Sequence, residues 1–253
     1  MRATLFLFLV LSIHMSVLGQ KLQSCIDCGT KVYTSYDISK NQLFEIELLR
    51  NEIFARHHYS FKNQRLQEYF YAFEWFTPNE DITVANANLN AIEKENITLF
   101  LDREKEIKEE RKLMMEELQK LKDAVSTSND EFISSVFKGI IDKKNDSYYN
   151  AVVEALDIVF SVVNLDQIHW HKNKAKYELL IDDGFAIAKR GIYITDTSVT
   201  IIFSNPMQHS EIMQSEDAFQ YPSQYYSESE NTAGATFRYI DGKLVLVAPI
   251  LAG

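Results

Sequence analysis

Cysteine, glycine and proline are all scarce in this chain of 253 residues, at two, eight and four copies. Two cysteines cannot build the multi-bridge framework that holds many small secreted folds together. Eight glycines leave no phosphate-cradling loop, and neither G-x-S-x-G nor H-E-x-x-H occurs. No catalytic residue is singled out and no cofactor is implied, so the expectation is a protein that is not an enzyme. After the first twenty residues no apolar run is long enough to cross a bilayer. The longest, Leu244 to Ala252, is too short and contains Pro249. Positive charge is outnumbered, with 26 Lys and Arg against 36 Asp and Glu. That balance excludes nucleic acid as the expected partner, because phosphate binding is dominated by cations, and it disfavours anionic membrane surfaces.

What is present begins with a leader. Arg2 precedes an apolar run from Leu5 to Leu18, interrupted only by Ser12, His14 and Ser16, and small Gly19 follows. This is the pattern of a secretory signal peptide over residues 1–19, cut before Gln20. Its loss leaves 25 basic against 36 acidic side chains, a net charge of −11. The expected product is exported, periplasmic or extracellular, with no transmembrane segment after cleavage. Cys25 and Cys28 follow in a polar segment, residues 20–40. They suit a local disulfide or two free thiols. Lipidation at Cys25 fits less well, because Gln20 and Lys21 separate it from the apolar run. A redox pair would need a strand–helix setting.

Periodicity then predicts helices. Ile46, Leu49, Ile53 and Phe54 recur at helical spacing after Asn41, a candidate N-cap. Leu66, Tyr69, Phe70 and Phe73 mark a second helix, residues 64–75, ended by Thr77-Pro78. Phe70 and Trp75 are expected to pack on Ile46, Leu49 and Ile53. A third, long helix begins near Asn86 or Asn88. Between Leu101 and Asp123 it is dense in opposite charges at helical spacing, and this stretch, residues 102–125, is expected to connect two cores while burying little. Its thin stripe of Ile107, Met114, Leu118 and Leu121 permits a coiled-coil seam.

From Ser126 the pattern changes. Ile133, Val136, Phe137, Ile140 and Ile141 predict one amphipathic helix, and Val152 to Val163 another. Strand-type runs follow: Tyr177–Ile181, Phe185–Ala188, Ile192–Thr195, Ser198–Phe203, and two that flank Asp241-Gly242, a strong hairpin signal. Asp183-Gly184 and Gly191 read as turns. Helices first and antiparallel strands after give an α+β class, with a small helical module over residues 41–101 and an α+β domain over 126–253.

The run Leu48-Leu-Arg-Asn-Glu-Ile-Phe-Ala-Arg-His-His-Tyr-Ser-Phe-Lys, with Leu66-Gln-Glu-Tyr-Phe and Trp75-Phe-Thr-Pro78, resembles the YARHG domain over about residues 43–101. Phe54, Ala55, Arg56, His57 and His58 stand at the naming motif. The resemblance implies an exported bacterial protein and no particular reaction. His58 replaces the family's Gly, where a chain leaving a helix often takes positive φ, and Phe54 lacks the tyrosine hydroxyl. Arg50, Glu52, Arg56, His57, Tyr59 and Trp75 are the candidate binding residues. They form either a recognition site or an internal network that ties short helices together.

Other candidates are thinner. His169 and His171 would share a strand face, but two imidazoles are half a zinc set, so no metal is expected. Ser204 to Gly234 reads as a long loop with Tyr221, Tyr225 and Tyr226 among carboxylates. Asn96-Ile-Thr98 and Asn145-Asp-Ser147 match the glycosylation pattern. The expected function is a non-catalytic binding or interaction protein of the cell envelope, its partner a protein or a glycan. The competing readings are an enzyme or metal-dependent activity in the C-terminal domain, and an adaptor that self-associates through the connector helix.

Overall fold

The computed structural model describes residues 20–84, 87–141, 147–184, 186–209 and 231–252. The expected leader, Asn145, and the loop tyrosines 221, 225 and 226 lie outside the described residues. Helices precede a single antiparallel sheet, so the class is α+β. The chain divides into two compact units, Met1–Asn41 with Glu45–Leu101, and Gln42–Phe44 with Asp102–Gly253.

The first unit is built on α1 (Leu43–Arg56), α2 (Gln64–Tyr71) and the opening turns of α3 (Ala91–Ser126). In α1 the spacing of Ile46, Leu49 and Ile53 places all three in the interior. Asn41 is buried and spent otherwise than as a cap. Its amide accepts from Leu22 N at 2.9 Å and donates to Leu22 O at 2.8 Å, fastening the N-terminal segment. Asn63 caps α2 by accepting from Arg65 N. That helix ends at Tyr71, short of the expected Trp75, because the chain folds into turns that bond Phe73 N to Phe70 O and Phe76 N to Phe73 O. Phe70 is buried, but its cluster is Phe54, Ala55, Phe61, Leu66 and Phe76, not the expected Ile46, Leu49 and Ile53. Phe61 stacks on it with ring centroids 5.2 Å apart. Trp75 touches Phe70 only at an edge and stays partly exposed.

The start of α3 falls at neither Asn86 nor Asn88. Asn90 accepts from Glu93 N at 2.9 Å, and Glu93 accepts from Asn90 N at 2.8 Å. This reciprocal pair satisfies two amides that a helix start leaves unpartnered.

In the second unit the charged part of α3 does more than connect. Met114, Leu118, Leu121, Ala124 and Val125 enter the main core with Ile133, Val136 and Phe137 of α4 (Asp130–Phe137), and Val152, Leu156 and Val159 of α5 (Ser147–Phe160). A narrow stripe on a charged helix was expected to bury little. It is buried because small and branched residues complete its C-terminal end. α3 ends at Ser126, and Ser128, at φ 53°, turns the chain, while Asn129 N bonds Ala124 O and the Asn129 side chain caps α4. α4 ends at Phe137 rather than Ile141: the chain turns away at Gly139, φ 89°, leaving Ile140 exposed.

The sheet is a six-stranded meander, β1 (His169–His171), β2 (Lys174–Asp182), β3 (Ala186–Thr195), β4 (Ser198–His209), β5 (Thr232–Ile240) and β6 (Lys243–Ala252), each strand antiparallel to its sequence neighbours. β4 and β5 extend into both ends of the expected 204–234 loop. Alternation sorts the side chains. Ala175, Ile192, Ile194, Val199, Ile201, Phe237 and Leu246 face the helices. Asp241 and Gly242 both have positive φ, 50° and 78°, and Ile240 pairs with Lys243. That is the two-residue turn whose twist matches a hairpin. Gly191 is not a turn but the middle of β3. A Cβ there would lie 2.7 Å from the Tyr193 ring, so the absence of a side chain makes room for that ring.

Candidate functional site

The candidate residues gather at the end of α1, and each has a local task. The helix closes with His58 N bonded to Ala55 O at 3.0 Å and Tyr59 N to Phe54 O at 3.1 Å. This double bond needs left-handed backbone at the residue after the cap, and His58 sits there at φ 65°. Such geometry is usually accompanied by an apolar contact between the two ends of the motif. Phe54 and Tyr59 supply it, with ring centroids 6.1 Å apart. His58 also brings a side chain the family's glycine would lack: its Nδ1 lies 2.9 Å from both Thr77 Oγ1 and Thr77 O.

Arg56 and His57 point to different partners. The Arg56 fork donates to Glu52 Oε1 from Nε at 3.0 Å and Nη2 at 2.6 Å, one turn back along α1. Its guanidinium lies 4.5 Å from the centre of the Trp75 ring, a stacked geometry suited to arginine. The other Glu52 oxygen accepts from Cys25 N at 2.8 Å. One buried carboxylate therefore joins α1, the arginine and the cysteine loop. His57 Nε2 lies 2.8 Å from Glu93 Oε1, so the same Glu93 that caps α3 binds the histidine of the motif.

The cysteine loop is held from a third side. Cys25 and Cys28 form a disulfide and both are buried. Asn96 is wholly buried and accepts from Tyr33 N at 2.8 Å while donating to Cys28 O at 2.9 Å and Lys31 O at 2.8 Å. The glycosylation match at Asn96 is therefore a structural amide with no face to offer. Sequence reasoning missed this role, and a fully buried Asn in a helix gives no local signal of partners more than 60 positions away.

Arg50 sits half-buried on α1, and Tyr59 is half-buried with its ring edge-on to Phe61 at 4.9 Å. Beside them four rings are left in the open. Tyr69, Tyr71, Phe73 and Trp75 are all more than a third exposed. Tyr69 and Phe73 touch at 5.5 Å, and Phe73 and Trp75 at 5.4 Å. Burial pushes the Tyr69 hydroxyl above its ordinary range, with the Glu52 charge adding to it. The structure thus brings Glu52, Arg56 and Trp75 into one contact chain, sends His57 to Glu93, and gives Tyr59 to the core.

In the second unit His169 and His171 do share the outer face of β1. Their register partners are Lys176 and Lys174, cations rather than ligands. Among the described residues no group of three or more His, Cys, Asp or Glu could hold a metal. Arg111, unflagged by its sequence context, is a buried anchor there. It donates to Asp196 Oδ1 at 2.9 and 2.7 Å and to Lys172 O at 2.9 Å, and lies 4.0 Å from the Trp170 ring centre. Met114, Leu118 and Leu121 of the α3 stripe are occupied in the core of their own unit.

The first unit is thus a small helical module whose motif residues close one helix and contact Glu93, which caps another, and Glu52, which holds the disulfide loop. A family model described as the YARHG domain matches residues 26–105, and the chain contains that domain. The match takes in Cys28, Lys31 and Tyr33, in keeping with the bonds from Asn96. No curated protein and no solved structure matches the chain.

Proposed function

We propose that this is an exported, non-catalytic binding protein of the cell envelope. Its YARHG domain presents the Tyr69–Phe73–Trp75 shelf to an extracytoplasmic partner. The observation that carries the reading is the division of labour around α1. The polar groups that could do chemistry, Glu52, Arg56 and His57, are engaged in holding the domain together. The adjoining aromatic surface is left without a cover, and contiguous exposed apolar patches on a small domain commonly mark recognition. Export is supported by the leader pattern, by the extracellular or periplasmic character of YARHG domains, and by the disulfide, which suits an oxidising compartment. No helix among the described residues is long and apolar enough to cross a membrane.

N-terminal sequencing of the secreted product should begin at or near Gln20. Soluble envelope glycans and peptides should quench or shift Trp75 emission in a Trp170→Phe background, and Phe73→Ala should weaken the response without lowering the melting temperature. A retained Met1, or a response unchanged by Phe73→Ala, overturns the reading.

A further inference from the structure

The outer face of the sheet carries two cross-strand rows of polar side chains. One runs His169, Lys176, Tyr193, Thr200 and Thr236, each opposite the next in register. The other holds His171, Lys174 and Thr195, continued across the turn by Ser198 and then Arg238. Residues directly opposite in antiparallel pairs share a face. The rows on β1 to β4 line an open cleft of about 690 Å³ to which Lys172 also contributes and which no Asp or Glu lines. On a chain of net charge −10 this is a local reversal of sign. Two acids border it: Glu178 accepts from the Tyr193 hydroxyl at 2.5 Å and lies 3.7 Å from Lys176 Nζ, and Asp196 is held by Arg111. Among the described residues no hydrogen bond or ion pair holds the side chains of His169, His171 or Lys174.

Charge calls for an anion, and two further features narrow its chemistry. First, the hydroxyls are paired, Thr195 with Ser198 at 2.7 Å and Thr200 with Thr236 at 3.2 Å. Each pair spends one of its two O–H hydrogens internally and keeps one donor; the Thr200–Thr236 pair also keeps acceptor lone pairs, whereas Thr195 Oγ1 already accepts from the backbone amides of Thr197 and Ser198. A ligand of carboxylates alone can use only the donors. A polyhydroxylated ligand can use both. Second, Tyr193 leans over Gly191, filling the place of the missing side chain. Its ring lies low on the Gly191 side of the row instead of standing off the sheet, with its hydroxyl on Glu178, and offers an apolar surface to the cleft. The lysines act as point charges that tolerate varied carboxylate angles.

We infer that this cleft binds an acidic polysaccharide, a chain of sugars bearing carboxylates. Lys174, Lys176 and the histidines meet the charge, the Thr and Ser pairs meet the sugar hydroxyls, and Tyr193 meets a sugar face. The site is separate from the aromatic shelf of the YARHG domain. The test is calorimetric titration of the mature protein with polygalacturonate at low salt, with neutral dextran and poly-glutamate alongside. Saturable binding to polygalacturonate is expected, with poly-glutamate weaker by about tenfold and dextran weaker still. Lys174→Gln with Lys176→Gln should weaken binding about tenfold, and Tyr193→Ala should weaken it too. Lys112→Gln and Trp75→Ala should leave it unchanged, and melting temperatures check that every variant is folded. Absence of saturable binding, equal affinity for poly-glutamate, or indifference to the double Lys substitution overturns the inference. Loss of binding in Trp75→Ala overturns it as well, by moving the ligand to the shelf.

Discussion

Asn96 offers the sharpest test of how the first unit is held. Its side chain is wholly buried on α3 and makes three hydrogen bonds to the loop that contains the disulfide. Removing it in Asn96→Ala deletes all three and strands Tyr33 N and Cys28 O away from water. A typical bond contributes about 1 kcal/mol net, and an unsatisfied buried partner costs more, so the loss should be about 3 kcal/mol. Asn96→Asp sharpens the test. A carboxylate keeps the acceptor for Tyr33 N but turns a negative oxygen toward two carbonyl oxygens. Burial and repulsion favour its protonated form, so its folded pKa rises above the unfolded value of about 4. The sign follows from linkage: a raised folded pKa gives relative stability below the unfolded pKa, lost as pH rises through the folded one. Relative to the parent at each pH, Asn96→Asp should therefore be destabilised more at pH 7 than at pH 4. Urea unfolding followed by Trp75 emission in a Trp170→Phe background reads the first unit alone. A loss below about 1 kcal/mol for Asn96→Ala, or a pH dependence of opposite sign for Asn96→Asp, would refute the reasoning.

Arg111→Ala should cost the second unit about 3 kcal/mol, because it removes a buried cation that pins two turns and leaves Asp196 without its partner; Trp170 emission against urea measures it, and a neutral result would show the network is ornamental. At His58 two substitutions separate backbone from side chain. Both Ala and Gly lose the Thr77 contact, but only Ala retains a Cβ in left-handed backbone, so His58→Gly should exceed His58→Ala in stability by about 1 kcal/mol. The hydrogen bond from Tyr193, aided by Lys176, holds the Glu178 carboxyl below its usual range. A lowered folded pKa contributes stability above the unfolded value that is lost as pH falls through the folded one. Tyr193→Phe should raise the Glu178 titration midpoint in a carbon-detected NMR series and flatten that acid limb.

How much of this was legible depends on the range of the interaction. The Asp241-Gly242 hairpin, the α1 face of Ile46, Leu49 and Ile53, and the positive φ at position 58 all follow from neighbours within a few residues, and sequence reading reached them. Gly191 was misread because a glycine in a strand and a glycine in a turn look alike until Tyr193 is seen to need the space. The α3 stripe was misjudged because Met114, Leu118 and Leu121 alone are narrow, and their burial depends on α4 and α5 arriving from later in the chain. Phe70 was given the wrong neighbours because Phe61 and Phe76, flanking α2 on both sides, supply the rings around it, at 5.2 and 5.7 Å. The Arg56–Glu52 pair, one helical turn apart, was within reach, but the bonds of Glu52 to Cys25 N, of His57 to Glu93 and of Asn96 to the cysteine loop were not, since each joins segments separated by tens of residues.

The two units differ in how they use polar side chains, and that difference bears on where recognition can occur. In the YARHG domain the motif is an assembly device. Phe54 braces the end of α1, position 58 supplies the left-handed turn, Arg56 and Glu52 secure the loop and Trp75, and His57 meets the residue that caps α3. Groups so engaged cannot bind a partner without releasing an internal one, and releasing Glu52 would leave Cys25 N and the Arg56 fork unsatisfied in the interior, at several kcal/mol. On the sheet face of the second unit, Lys174, His169 and His171 lie at the surface with bonding capacity to spare, and Lys176 meets only Glu178. Substitutions in the motif should therefore act mainly through stability, changing binding at either surface only as far as the fold is lost, whereas substitutions of Lys174, Lys176 or Phe73 should change binding while the unfolding transition stays in place.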